Sequence, residues 1–172
     1  NGMSNFFPKY SPDGKWVAFA SDGEDPRWPR LMDIYVVPSF GGTPRRLAET
    51  PDRRAVLLGW SADGNCVFIS EVDRTSTRIF ELPVDGHPPH VWTTGAGTCS
   101  AAAFSKNGLM MAFVHQTPDH APEIFVSGML RFEPRQISDA GKDYPRLPMG
   151  RTEAITWKSI DGMEIEGLLT FP

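Results

Sequence analysis

The 172-residue chain is poor in cysteine, with only Cys66 and Cys99. Two thiols are too few for a disulfide framework and lack the spacing of a metal site. Both lie in apolar stretches, which predicts buried, inert thiols. No apolar run approaches the ~18 residues of a membrane-spanning helix. No basic segment followed by an apolar stretch is visible near the start. The chain opens at Asn1 rather than Met, which leaves room for an upstream segment that has been removed. A basic excess is also missing. Lys plus Arg is 17 and Asp plus Glu is 21, for a net charge of −4, which argues against a nucleic-acid partner. Arg45–Arg46 and Arg53–Arg54 are short basic pairs expected to be solvated in loops. No Asp-x-Asp-x-Asp-Gly calcium loop occurs. His87 and His90, three apart in a Pro-containing loop, lack further ligands. No metal and no cofactor is therefore expected.

Glycine and proline, by contrast, are abundant at 16 each, while 40% of residues are apolar and 11% aromatic. A turn-rich, aromatic-rich chain of this kind is expected to be globular and all-β. An internal repeat makes that specific. Tyr10-Ser-Pro-Asp-Gly-Lys-Trp-Val-Ala-Phe-Ala20, Trp60-Ser-Ala-Asp-Gly-Asn-Cys-Val-Phe-Ile-Ser70 and Phe104-Ser-Lys-Asn-Gly-Leu-Met-Met-Ala-Phe-Val114 share one pattern. Each has an aromatic, a serine, a glycine three residues later, then an apolar run. A second element follows at Ile34, Ile79 and Ile124, spaced 45 apart. A third closes each unit 13 residues further on, at Leu47, Trp92 and Ile137.

The Asp-Gly or Asn-Gly pairs at 13–14, 63–64 and 107–108 predict tight hairpin turns. Each unit then holds four strands in about 45 residues, the signature of a β-propeller blade. The second strands are apolar on both faces, as stacked blades require and a one-sided sheet does not. A β-sandwich would leave the 45-residue period without a reason. The blades are expected at about 3–50, 53–95 and 97–139. Closed propellers have 4–8 blades, so three predict either a piece of a larger propeller or one part of an assembly. The apolar faces of the terminal blades are expected to be open, which suits a homo-oligomer.

Tyr10-Ser-Pro-Asp-Gly-Lys, with Ile34-Tyr-Val-Val and Gly41-Gly-Thr-Pro, resembles the TolB-type propeller repeat. The C-terminal stretch Glu153-Ala-Ile-Thr-Trp-Lys-Ser-Ile-Asp-Gly-Met-Glu-Ile-Glu-Gly-Leu-Leu-Thr-Phe-Pro172 resembles another junction. In prolyl oligopeptidase family serine peptidases, a hairpin of the form Ser-x-Asp-Gly-x-x-Ile-x-Gly opens the α/β-hydrolase domain after the propeller. Ser159, Asp161, Gly162, Ile165 and Gly167 match it, and Met149-Gly-Arg-Thr-Glu153 fits the linker. Within that family the chain looks most similar to the acylaminoacyl-peptidase branch. The resemblance implies an all-β propeller fragment at 1–139, a linker at 140–152 and the start of a hydrolase domain at 153–172.

A hydrolase of that family needs a Gly-x-Ser-x-Gly elbow, then Asp, then His. No Gly-x-Ser-x-Gly occurs in the 172 residues. Ser100 with His115 and Asp119 has the wrong order, so no catalytic residue is assigned. The resemblance implies that catalysis belongs to a hydrolase domain of the parent chain, which the sequence given would precede. The propeller's expected role is to admit short peptides to it. The alternative is a stand-alone TolB-like module for protein–protein binding. No membrane partner is expected. The free thiols favour a cytoplasmic location, with the periplasm as the alternative.

One segment departs from the repeat. Ser11 to Ile34 is 23 residues, against 18 from Ser61 to Ile79 and 19 from Ser105 to Ile124. The extra residues fall in Asp22-Gly-Glu-Asp-Pro-Arg-Trp-Pro-Arg-Leu-Met32. Strand alternation puts the connection after strand two at the same end as the exit from strand four. Arg27, Trp28 and Arg30 are therefore the candidates for the substrate path or the interdomain contact, where arginines suit a carboxylate.

Overall fold

A computed structural model describes residues 4–23, 31–143 and 150–172. The architecture is all-β: three four-stranded antiparallel blades, the second and third joined by one parallel bridge at Thr77 and Thr98 into an eight-stranded sheet, and a separate hairpin. Blade one holds β1 (Asn5–Tyr10), β2 (Trp16–Ser21), β3 (Asp33–Pro38) and β4 (Arg45–Arg46). Blade two holds β5 (Val56–Trp60), β6 (Cys66–Asp73), β7 (Ser76–Pro83) and β8 (His90–Val91). Blade three holds β9 (Thr98–Phe104), β10 (Met110–Thr117), β11 (His120–Gly128) and β12 (Arg135–Gln136). The hairpin is β13 (Thr152–Lys158) and β14 (Glu164–Thr170). A short 3-10 turn, Ala140–Asp143, follows blade three.

The 13-residue spacing is a backbone hydrogen bond. The amides of Leu47, Trp92 and Ile137 donate to the carbonyls of Ile34, Ile79 and Ile124 at 2.8, 2.9 and 2.8 Å. Each bond continues a fourth strand only two residues long. In blades two and three a hydroxyl adds to it. Ile79 N donates to Thr93 Oγ1 and Ile124 N to Ser138 Oγ.

The tight turns fall where the Asp-Gly and Asn-Gly pairs place them. Asp13 and Asp63 do not adopt positive φ, whereas Gly14, Gly64 and Gly108 do, at 71°, 74° and 70°. The Gly14 amide donates to the Ser11 carbonyl, and the Ser11 amide to the Trp16 carbonyl. This is a four-residue reversal with serine first and glycine last, the residue order of a type I turn. Ser11 Oγ donates to Asp13 and accepts from the Trp16 amide. The same bonds recur at Ser61 and Ser105. Each repeat serine and its Asp or Asn thus satisfy turn groups that the strands leave unpaired.

The core lies between blades. Ala18, Ala20, Ile34, Val36 and Leu47 of blade one pack on Leu57, Val67, Ile69, Phe80 and Leu82 of blade two. Ile79 of blade two packs on Cys99, Met111 and Phe113 of blade three. Five successive residues of β6, Val67 to Glu71, are buried, because blade two has a neighbour on each face. β2 and β10 carry the same apolar runs but are buried mainly on alternate positions. Equivalent repeat positions show the cause. Ile34 and Ile79 are 3% and 0% exposed, while Ile124 is 44% exposed. Cys99 is buried as expected, whereas Cys66 is only partly so.

Candidate functional site

The connections between strands two and three lie beside the segments that leave each blade. Met32 pairs in parallel with Arg54, and its amide donates to the Arg53 carbonyl. Thr77 pairs in parallel with Thr98. The Arg78 guanidinium donates to the carbonyls of Thr93 and Gly95 at 3.3 and 3.2 Å. One end of the arc therefore gathers both sets of connections, as strand alternation requires. Arg27, Trp28 and Arg30 lie outside the described residues.

That end is rich in paired charge. Asp33, which opens β3, accepts two hydrogen bonds from Arg53, at 3.0 Å from Nε and 2.7 Å from Nη2. Arg46 reaches the same carboxylate at 3.3 Å and also pairs with Glu49. The Asp33 bond holds the Arg53 guanidinium above its ordinary pKa. Arg53 has a φ of 52°, an uncommon conformation for a residue with a side chain. Arg45, Arg46 and Arg54 are exposed, in line with solvated charges, whereas Arg53 is partly buried and is tied to Asp33. The two-pronged geometry suits guanidinium and carboxylate.

Beside it, Glu71 of β6 is 2% exposed. Its carboxylate accepts from Thr50 Oγ1 at 2.7 Å, the Arg54 amide at 2.9 Å and the Asp52 amide at 3.3 Å. Burial pushes this carboxyl above the usual range, and the three donors offset part of that rise. Glu123 does similar work at the exit of blade three, where Ser138 Oγ and the Gly141 amide donate to it. The Ser138 bond, the largest contributor, holds Glu123 below the ordinary carboxylate range.

The hairpin meets the arc at this end. Glu166 of β14 accepts from Thr75 Oγ1 at 2.7 Å and from the Thr75 amide at 3.2 Å. Arg74 Nη1 reaches Glu166 at 3.4 Å and Glu164 at 3.7 Å. Arg74 and Thr75 form the connection between strands two and three of blade two. The hairpin itself turns on Ser159 to Met163, with the Asp161 carboxylate accepting from the Met163 amide and the Ser159 hydroxyl. It repeats the turn chemistry of the blades. Its motif residues Asp161 and Gly162 are therefore turn formers, with Gly162 at a φ of 85°.

His115 Nε2 faces the Ala96 carbonyl at 3.2 Å, and Asp119 takes the Thr117 hydroxyl at 2.6 Å. Ser100, on β9, is paired across the sheet with Val114. His87 is held by Asp85 at 2.8 Å, and the His90 ring meets Trp92 edge-on. Among the described residues, no group of three or more His, Cys, Asp or Glu is placed to hold a metal ion. No helix is long and apolar enough to cross a membrane among them. Between blades two and three a cleft of about 280 Å³ is lined by Phe68, Glu81, Trp92 and Phe104. Trp92 Nε1 donates to Glu81 there at 2.7 Å.

The fold and this charged end define a propeller segment whose exit end carries an additional hairpin. The comparisons agree with the fold. No family model matches the chain. Tricorn protease homolog 1 of Streptomyces coelicolor is 33% identical over 84 residues, covering 47% of this chain and 7% of that protein. Dipeptidyl-peptidase 5 of Trichophyton equinum is 27% identical over 84 residues, covering 48% of this chain and 12% of that protein. The chain thus spans a small fraction of the relatives it matches. TolB from Acinetobacter baumannii superposes over 95% of this chain and 40% of its own, with a TM-score of 0.64 and 14% identity. Dipeptidyl peptidase 4 of Porphyromonas gingivalis superposes over 96% of this chain and 23% of its own, with a TM-score of 0.68 and 17% identity.

Proposed function

We propose that this chain is the propeller portion of a serine peptidase of the prolyl oligopeptidase type. Its role is to admit short peptides to a hydrolase domain carried by the parent protein, where bond cleavage takes place. The observation that carries this reading is the β13–β14 hairpin. It bears the Ser159-x-Asp161-Gly162-x-x-Ile165-x-Gly167 pattern and docks through Glu166 on the exit end of blade two. A domain opening with that hairpin would sit over the end of the propeller. Similarity of about half the chain to two peptidases supports the same reading. The finer assignment, to the acylaminoacyl-peptidase branch, rests on the hairpin and linker residues alone. In this reading the partners are the hydrolase domain and short peptides, with no nucleic-acid or membrane partner and a cytoplasmic or periplasmic location. Arg27, Trp28 and Arg30 are the candidates this reading offers for the substrate path or the domain interface.

A second reading is a stand-alone TolB-like module for protein–protein binding, without peptidase activity; the likeness to TolB supports its fold and does not separate it from the first reading, since a dipeptidyl peptidase 4 matches equally well. An assay separates the two. The parent protein should hydrolyse acyl-amino-acid or dipeptide anilides, and the 172-residue chain should hydrolyse neither. Hydrolysis by the pure chain, or an inert parent protein, would remove the first reading. Unchanged peptide kinetics after Arg27→Ala and Arg30→Ala in an active parent would remove those two from the substrate path.

A further inference from the structure

The Arg74–Thr75 turn is built in a way that its role as a hairpin connection does not explain. β6 and β7 are joined by these two residues alone, between the paired Asp73 and Ser76. Arg74 takes a φ of 56°. Two-residue turns that need such a conformation favour glycine or asparagine, because a side chain there is strained. Arginine at this position forgoes the easier residue. What it gains is on the hairpin. The guanidinium reaches Glu164 and Glu166, and the reversed backbone presents the Thr75 amide and hydroxyl together to one oxygen of Glu166. Glu166 is the partly buried partner, with its side chain 19% exposed.

The hairpin has two unlike faces. Glu166 shares one face with Glu164, Thr156 and Lys158, by register. The other face carries Ile155, Trp157, Ile165 and Leu169, with the Trp157 ring lying over Gly167. Polar contacts thus tie one face to the propeller, while Ile155, Trp157 and Leu169 on the other stay exposed. A contact made of two carboxylates, one hydroxyl, one amide and one guanidinium is directional, and it can be broken without exposing a core.

We propose that the Arg74–Thr75 turn is a latch. It holds the β13–β14 hairpin at a fixed angle on blade two, and with it the hydrolase domain that the proposed function places beyond the hairpin. Its release lets that domain swing and widens the path for longer peptides. The idea rests on the peptidase reading for its consequence, but the contact can be tested separately.

Hydrogen exchange followed by mass spectrometry on the 172-residue chain reads the contact. Glu166→Ala should speed exchange of the β13 and β14 amides about tenfold, the effect of losing charge-assisted hydrogen bonds. Thr75→Ala should do so to a smaller extent, and exchange in β6 and β7 should not change. Arg74→Gly relieves the turn yet removes the guanidinium, so it should also free the hairpin without weakening blade two. Unchanged hairpin exchange in Glu166→Ala and Thr75→Ala overturns the latch. In the parent protein, Glu166→Ala should raise kcat/KM for a long peptide about fivefold relative to a short anilide, a typical coupling between sites. An unchanged ratio, with a freed hairpin, also overturns it. A wild-type parent that cleaves neither substrate removes the peptidase reading instead, and the exchange data still decide the contact.

Discussion

The stacked arrangement makes one substitution behave differently at equivalent repeat positions. Ile79 and Ile124 occupy the same place in blades two and three, and each carbonyl accepts the closing amide of its blade. Ile79 is sealed between blades, whereas Ile124 lies on the far face of blade three and is 44% exposed. Replacing either with alanine removes three carbons, worth about 2.4 kcal/mol of transfer free energy when fully buried. At Ile79 a cavity adds to the loss, for a total of about 3.5 kcal/mol. At Ile124 the burial is partial and solvent fills the gap, so the loss is about 1 kcal/mol. Urea unfolding followed by far-UV circular dichroism reads the difference. With a slope of about 2 kcal/mol per molar urea, the midpoints of the two variants should lie about 1.2 M apart. Equal midpoint shifts for Ile79→Ala and Ile124→Ala would refute the stacking. In a parent protein with a further blade on that face, the cost at Ile124 should rise to match Ile79.

Glu71→Ala should lower stability by about 3 kcal/mol, because Thr50 Oγ1 and the Arg54 amide lose a buried acceptor, and the urea midpoint checks it. The folded state raises the Glu71 pKa, so its stabilising contribution is greatest when it is protonated, at low pH. That contribution is lost as pH rises through the raised value. Glu71→Gln should flatten this part of the pH–stability curve above the ordinary carboxylate range, and parallel curves for variant and wild type would contradict the assignment. Burial, then the Glu81 hydrogen bond, pushes the Cys66 thiol up to about 12, and burial also raises Cys99. Neither thiol should react with a disulfide reagent at about pH 8 in the folded chain, and both should react in urea. Gly97→Ala should cost more than about 2 kcal/mol, because a methyl there runs into the Gln116 carbonyl at a φ of 102°. Gly14→Ala, at a φ of 71° with open space around it, should cost about 1 kcal/mol. Thermal melts of the two variants compare them directly.

The blades were legible because the repeat records backbone pairing. The 13-residue interval from Ile34 to Leu47 is one hydrogen bond, and repetition made it visible. The Asp-Gly and Asn-Gly pairs placed each hairpin, and the repeat serine, whose hydroxyl accepts from the amide five residues on, sets a turn in which only the glycine is positive. The charged ties were less visible. Arg53 lies 20 residues from Asp33, and no local pattern links them. The Glu166 contact spans 91 residues to Thr75 and exists only because strand alternation brings two remote connections to one end. Arg74 offered one faint signal, a bulky residue in a two-residue turn between long strands. The exposure of Ile124 could not be read at all, since its local sequence is that of the buried Ile79 and only the neighbouring blade distinguishes them.

The most direct test of the central claim is to read the coding frame past codon 172. The account predicts that the frame continues into a Gly-x-Ser-x-Gly elbow, followed by an aspartate and then a histidine, in the order of an α/β-hydrolase. A frame that closes soon after Pro172, or runs on without that elbow, would contradict it and leave a propeller module whose function lies in binding.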